Sequence, residues 1–287
     1  MPINEGISSI VVSYNCLDSL KKCIGSLQDQ RGIVNEIIVV DNDSVDGTVD
    51  YLKKRKLTTI FPGKNLGYGQ AANLAAEKAE GKYLFILNPD TEFPPSTLAD
   101  LYNFAERSDN VGLISPLLIY PDGRPQLSAR EFPRRTDILF GRGSPLFWLG
   151  ITGEKKAGYI RPADERPLEV PAVSATAIFI RKELFERIGG FDRRFFLYLE
   201  DLDLCKRIEQ EGGKIILLPP VRVTHLWRAS SRKRRFFAAF YHHRSVWKYF
   251  VKHYPDQRIY NTVLFVALVL GFVVSSVLMA LGIRRED

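Results

Sequence analysis

Three acids within four residues, Glu200, Asp201 and Asp203, follow the aromatic run Phe195-Phe196-Leu197-Tyr198. Crowding like charges beside aromatic rings is costly, and the cost is most easily justified if one acid serves as a general base with a tuned pKa. On a helix, residues 200 and 203 share a face while 201 points elsewhere, so one acid can enter a cleft as the others cap the helix N-terminus. A further carboxylate, Asp90, ends Asn88-Pro89-Asp90 directly after the apolar run Tyr83-Leu84-Phe85-Ile86-Leu87. A hard oxygen ligand at a strand end is well placed to reach Mg2+ or Mn2+ holding a diphosphate. His225, beyond a strand predicted over 214–218, could complete that site through a ring nitrogen. Each has a plainer use taken alone: Asp90 as a turn residue, His225 as a packed core residue, the three acids as cap charges.

Positioning these groups requires a sheet. Residues 7–12 and 36–40 are short Ile/Val-rich runs, and between them Leu17, Leu20, Ile24 and Leu27 recur at helical spacing over Leu17 to Gln28. Strand, helix, strand is a βαβ unit, whose ligands lie at the strand carboxyl ends. Ser13-Tyr14-Asn15 and Asp41-Asn42-Asp43-Ser44 are therefore the first binding-site candidates. The pattern continues through a strand at 58–61, a Gly-rich turn Asn65-Leu66-Gly67-Tyr68-Gly69 and a helix over 71–79. That turn lacks the later Gly of a dinucleotide fingerprint and the Gly-Lys-Ser of a P-loop, which removes the main support for hydride transfer or ATP hydrolysis. Residues 121–168 carry prolines at 121, 125, 133, 145, 162 and 167 and an apolar patch, Leu146-Phe147-Trp148-Leu149, and read as an irregular loop over the site. A strand at 173–180 and a helix at 182–188, stopped by Gly189-Gly190, follow.

With 287 residues, 45% hydrophobic and 25% charged, the chain is neither a disordered tail nor a minimal disulfide scaffold. Three cysteines, Cys16, Cys23 and Cys205, without metal-type spacing point to a reducing compartment. Glu5 stands where an export signal needs positive charge. The net charge of +7 is local: residues 222–260 carry +9, whereas residues 1–221 carry −2. Within that basic stretch Phe236, Phe240, Trp247, Phe250 and Tyr254 recur near helical spacing among Arg232, Lys233, Arg234, Arg235, Arg244, Lys248 and Lys252. Directly after it, residues 263–283 contain no charge, and at about 1.5 Å per residue they reach roughly 31 Å, a bilayer core. The pair predicts a basic amphipathic helix on a membrane surface, not a nucleic-acid face, followed by a transmembrane anchor with its basic flank in the cytoplasm.

The ordered set Val12-Ser13-Tyr14-Asn15, Val40 to Thr48, Asn65 to Gly69, Leu87-Asn88-Pro89-Asp90-Thr91, Gly189-Gly190-Phe191-Asp192 and Glu200 to Leu204 closely resembles family 2 glycosyltransferases of the rhamnosyltransferase-like branch. The resemblance covers roughly residues 7–226. It implies an α/β GT-A fold, a Rossmann-like nucleotide-sugar half fused to an acceptor half over 1–226, with the amphipathic segment at 227–260 and the anchor at 261–287. By this similarity Tyr14 lies against the nucleotide base and Asp41 bonds its edge, with Asp43 or Asp46 and Asn65 near ribose and diphosphate. Ser13, Asn15, Gly67, Asn73 and Asn88 join the same nucleotide-sugar site. Asn88-Pro89-Asp90 stands where the family has its DXD metal motif, with Asn in place of the first acid. That leaves Asp90 as the main carboxylate ligand of a Mg2+ or Mn2+ ion and strengthens His225 as the second. Glu200-Asp201 matches the family's general-base motif, with Asp201 favoured and Glu200 the alternative. The implied activity is inverting, metal-dependent transfer of a rhamnose-like deoxyhexose or a hexose from a nucleotide-diphosphate sugar. The acceptor would be a polyprenyl-linked glycan of the cell envelope, met at the cytoplasmic face of the inner membrane. The rival expectations are a nucleotidyltransferase and a non-catalytic membrane scaffold.

Overall fold

The computed structural model describes residues 5–140, 158–226 and 235–280. The chain opens with β1 (Ile7–Ser13), α1 (Leu17–Gln28), β2 (Asn35–Asp41), α2 (Thr48–Lys53), β3 (Thr58–Ile60), α3 (Tyr68–Ala76) and β4 (Tyr83–Leu87). The four strands lie parallel in the order β3-β2-β1-β4. β1 and β4 are buried along their whole length, which is why they read as continuous apolar runs: both faces of the sheet are covered. Alternate residues divide between the faces. Ile10, Ile38, Leu84 and Ile86 meet the alanines of α3, whereas Val11, Val39, Phe85 and Leu87 meet Leu20 and Ile24 of α1.

The second half adds β5 (Thr91–Glu92), α4 (Thr97–Glu106), β6 (Val111–Ile119), β7 (Ala129–Arg130), α5 (Arg135–Phe140), β8 (Tyr159–Ile160), β9 (Leu168–Glu169) and β10 (Ala172–Val173). Then come β11 (Ala177–Arg181), α6 (Lys182–Arg187), α7 (Glu200–Gln210), β12 (Lys214–His225), α8 (Arg235–His253) and α9 (Arg258–Ala280). The main sheet continues β4-β11-β6-β12-β5, with β11 antiparallel to both neighbours and β12 parallel to β6. β10, β7 and β8 form a separate antiparallel sheet. At the main sheet's edge Thr91 of β5 stands opposite His225 of β12, and this pairing delivers the far end of the chain to Asp90.

Two predicted strands need correction. The strand expected over 173–180 is broken, because Ser174-Ala175-Thr176 crosses from the small sheet to the large one. Ser174 N–H donates to Ser128 O (2.9 Å), Tyr68 Oη–H to Ala175 O (2.7 Å) and Asn88 N–H to Thr176 O (2.8 Å). The strand expected over 214–218 instead runs on to His225, with a register shift between Leu218 and Arg222. Pro219 and Pro220 lack the N–H that pairing needs, so the ladder slips around them and resumes. Of the irregular segment, the patch 146–149 lies outside the described residues.

The basic helix also departs from expectation. Val246, Tyr249 and Phe250 of α8 are buried, and Trp247 and Tyr254 pack against the same core, so much of its aromatic face meets the catalytic domain and not lipid. Lys248 Nζ donates to Arg194 O (2.5 Å), and Lys252 Nζ bonds Asp192 (2.6 Å) and Asp203 (2.5 Å). Asp203, with no exposed side-chain surface, also meets Arg207 (2.8 Å) and His253 Nε2 (2.9 Å). Burial alone would raise the Asp203 carboxyl, but His253, Arg207 and Lys252 outweigh it and hold it below the usual range. The third acid of the cluster thus ties α7 to α8. Phe236 and Phe240 remain exposed, while Arg232, Lys233 and Arg234 lie outside the described residues.

In α9, residues Arg258–Val277 are long and apolar enough to cross a membrane, with 22% of that stretch buried. The buried face is Asn261, Leu264 and Leu268, and Arg135 fastens it by donating to Gln257 Oε1 (2.6 Å) and Asn261 Oδ1 (3.0 Å). Residues 281–283 of the predicted span lie outside the described residues.

Candidate functional site

The parallel register sets Ser13 directly opposite Asp41 at the carboxyl ends of β1 and β2. Asp41 is buried; Oδ2 accepts the Ser44 N–H (3.1 Å), while Oδ1 has no partner. A buried, unpaired carboxylate oxygen is expensive and fits a ligand N–H at that point. Asn42, which the sequence left undistinguished from its neighbours, organises the cleft. It accepts the Leu66 N–H (2.7 Å) and donates to Asn65 Oδ1 (3.1 Å) and Gly67 O (3.2 Å). Gly67 has φ +80°, and a Cβ there would collide with the Phe196 carbonyl, so only glycine lets the two halves of the site close together.

Other predicted nucleotide residues already have work. Asn15 Oδ1 accepts the Val45 N–H (2.8 Å), and Asp46 accepts from Leu17 N–H (3.0 Å) and Thr48 Oγ1 (2.6 Å). Asn73 spends both amide groups on the Phe191 backbone (2.8 Å each), between the halves. Asp43 is exposed with φ +74°. Tyr14 and Asn88 sit at the ends of β1 and β4, half-buried beside the cleft.

Asp90 and His225 converge as the sequence expected: Asp90 Oδ1 lies 3.4 Å from His225 Nε2, and both residues are buried. Gln126 sets the ring. Its Nε2 donates to the His225 carbonyl (2.7 Å) and Ile119 O (3.3 Å), which fixes the amide with Oε1 against His225 Nδ1 (2.8 Å). Nδ1 then donates to that amide oxygen, and this turns the Nε2 edge of the ring toward the Asp90 carboxylate. One carboxylate oxygen beside one imidazole nitrogen is a ligand set that suits Mn2+ or Mg2+, with further ligands from a diphosphate or water. Among the described residues no group of three or more His, Cys, Asp and Glu could hold a metal ion. The Asp90–His225 pair by itself offers two such ligands.

Glu200 and Asp201 begin α7 immediately after Tyr198 and Leu199, two non-glycine residues in the left-handed region (φ +67° and +64°). Strained backbone of this kind persists where surroundings over-determine it. Asp201 Oδ2 accepts from Arg130 Nη2 (3.1 Å) and Oδ1 from the Leu202 N–H (2.8 Å). Arg130 was hidden in the segment without periodicity, as was Gln126. Glu200 is buried with Oε2 unpaired, and burial, then the Asp201 charge, push its carboxyl from 4.5 up to about 8. Burial, then Glu200, Asp201 and Asp90, raise the Tyr68 phenol well above its ordinary value. The charges of Asp90, Glu200 and Asp201 thus all act on the one phenol of Tyr68.

The raised Glu200 carboxyl has a measurable sign. The folded chain keeps a proton that the unfolded chain releases, so this contribution to stability is full below about 4.5 and is lost as pH rises to about 8. Glu200→Gln needs no proton, and its melting temperature should gain on the wild type across that window. Thermal melts from pH 5 to pH 9 check this; a constant difference would remove the buried, protonated Glu200.

The model of "Glycosyl transferase family 2" matches residues 8–189. An N-acetylglucosaminyl-diphospho-decaprenol L-rhamnosyltransferase of Mycobacterium tuberculosis is 29% identical over 233 residues, 75% of this chain and 74% of that protein. The rhamnosyltransferase WbbL of Escherichia coli is 27% identical over 263 residues, 85% of this chain and 92% of that protein. In structure the chain resembles GalNAc-T7, solved with UDP, GalNAc and Mn2+, with a TM-score of 0.60 at 18% identity over 88% of this chain. It spans 51% of that chain, and the likeness shows the shared GT-A fold alone. Motif order, fold and the family match agree: the chain belongs to glycosyl transferase family 2.

Proposed function

We propose that the chain moves a rhamnose-like deoxyhexose, or a hexose, from a nucleoside-diphosphate sugar to a lipid-linked glycan, inverting the anomeric centre with the help of a divalent cation. The supporting observation is the pairing of Asp90 with His225 at 3.4 Å, together with the nearness of Asp90, Glu200 and Asp201 to one phenol, Tyr68, which all three charges raise. The relatives' names, which specify rhamnosyl transfer and in one case a decaprenol-linked acceptor, favour this donor and acceptor.

The chemistry follows from where charge develops. A divalent cation held by Asp90 and His225 would offset the negative charge appearing on the departing diphosphate. Asp41 and the loop organised by Asn42 hold the nucleoside end. Asp201 takes the proton of an acceptor hydroxyl as that oxygen bonds to the anomeric carbon from the face opposite the diphosphate. The bond from that carbon to the diphosphate oxygen breaks, and its electron pair leaves with the nucleoside diphosphate. Arg130 keeps Asp201 oriented and balances its charge. The apolar α9 seats the enzyme on the cytoplasmic face of the inner membrane, where a prenyl-linked acceptor resides.

Purified protein in detergent with Mn2+, a panel of nucleoside-diphosphate sugars and a prenyl-diphosphate-linked amino sugar should yield one glycosylated product. Its new linkage, read by NMR, should have the anomeric configuration opposite to the donor's. Retention of configuration, or transfer from no donor, would sink the reading.

A further inference from the structure

A row of aromatic rings leaves the catalytic acids and ends on the apolar C-terminal helix. Phe196, four residues before Glu200, lies 4.5 Å between centroids from Tyr241 of α8. Tyr241 meets Phe240 at 5.3 Å, Phe240 meets Phe272 of α9 at 5.9 Å, and Phe272 meets Phe236 at 5.2 Å. The row is open to the outside, since Phe240 is 43% and Phe236 57% exposed. It is also fixed relative to the acids. Ser245 donates to Leu197 O (2.8 Å), and Lys252 and His253 bind Asp203 on the helix that carries Glu200 and Asp201. Arg244 is exposed and follows Tyr241 and Phe240 at helical spacing of three and four, which sets a cation on the same face.

We propose that this row is the seat of the acceptor's prenyl chain, with Arg244 beside the diphosphate that joins chain to sugar. The proposal rests on the lipid-linked acceptor argued above and adds where the lipid lies. An acceptor of that class has an uncharged sugar, a dianionic diphosphate and a long branched hydrocarbon. The catalytic acids require the sugar, so the hydrocarbon must leave the cleft along an apolar path. A bilayer can cover Phe236 and the outer face of α9, whereas Phe196 is half-buried four residues before Glu200, with its carbonyl where a Cβ on Gly67 would stand. Edge-on rings offer a prenyl chain continuous contact from the cleft to the membrane. The apolar row next to a cation matches the order of groups in the acceptor.

The test compares two acceptors carrying the same sugar diphosphate, one on a long prenyl chain and the short one capped by a single methyl group, using the whole protein chain in detergent. Tyr241→Leu and Phe240→Ala should raise the KM for the long acceptor by about tenfold, the scale of one lost ring contact. The KM for the short acceptor, the KM for the donor and flotation with liposomes should be unchanged. Phe240→Leu, which keeps an apolar side chain at this partly exposed position, provides a second variant if Phe240→Ala folds poorly, and should show a smaller rise. Equal losses on both acceptors would make the row merely structural, and a parallel loss of liposome flotation would make it a membrane contact; either overturns the proposal. A wild-type enzyme that uses both acceptors with the same KM overturns it as well. Activity on neither acceptor, with donor still bound, would instead fail the lipid-linked reading itself and take the row with it.

Discussion

Asp201→Asn is expected to lower sugar transfer by about two to four orders of magnitude, the range for loss of a general base, with nucleoside-diphosphate binding retained. The substitution keeps the side chain's size, and its single amide oxygen can still accept from one of the two donors, Arg130 Nη2 or the Leu202 N–H, that hold the carboxylate now at 3.1 and 2.8 Å. What it removes is the negative charge that receives the hydroxyl proton. Glu200 is the neighbour that could substitute, but burial and the Asp201 charge lift it to about 8, so near neutral pH it mostly carries its own proton. Asn at 201 lifts that repulsion, and Glu200 then ionises more readily. The two roles therefore separate in the pH profile. If Asp201 is the base, Asp201→Asn is nearly inactive at every pH and Glu200→Gln retains much more activity. If Glu200 is the base, Asp201→Asn stays active with its profile moved to lower pH, and Glu200→Gln is the dead variant. Donor binding by calorimetry separates either case from a collapsed site.

The acid pair shows what sequence could and could not reveal. Glu200, Asp201 and Asp90 stand out in the sequence by their settings, acids beside aromatics and an acid at the end of an apolar strand, and the structure adds that His225 lies beside Asp90. The parallel half was legible because buried strands and amphipathic helices leave period-specific patterns. Arg130 and Gln126 carry no such mark. They stand among prolines on a two-residue strand and in a loop, and only the pairing of β7 with β10 and the reach of Gln126 to His225 O give them a role. The same holds for α8. Its spacing was read correctly as amphipathic, but periodicity does not say what an apolar face meets. That was decided by Asp192 and Asp203, whose charges supply partners for Lys252 and draw the helix onto the protein. A basic, aromatic helix read as lipid-facing thus became part of the catalytic domain, with its exposed residues at one end.

Removing Asp90 should be as damaging as removing the base, and in a way that added cation partly reverses. Asp90→Asn leaves a neutral amide 3.4 Å from His225 Nε2 in place of a carboxylate, so the site loses its charged ligand while keeping its shape. Transfer at limiting Mn2+ should fall by two or more orders of magnitude. Raising Mn2+ should recover part of it, because the imidazole and the donor's diphosphate still offer ligands. Gln126→Leu is the sharper test, since this side chain is buried with its amide engaged by His225 and Ile119 O. It removes the acceptor for the Nδ1 proton and the two donations that orient the amide, so the ring is free to change tautomer or turn. Loss of such an outer partner typically costs 10–100-fold in metal affinity. The Mn2+ concentration needed for half-maximal nucleoside-diphosphate binding should rise by about that factor, measured by calorimetry without any acceptor, while kcat at saturating Mn2+ stays near wild type. A Gln126→Leu protein with unaltered Mn2+ dependence would mean that His225 does not serve the cation. Asp90 would then be its only protein ligand, and the interaction of Gln126 with His225 would serve only to close the sheet edge at β5 and β12.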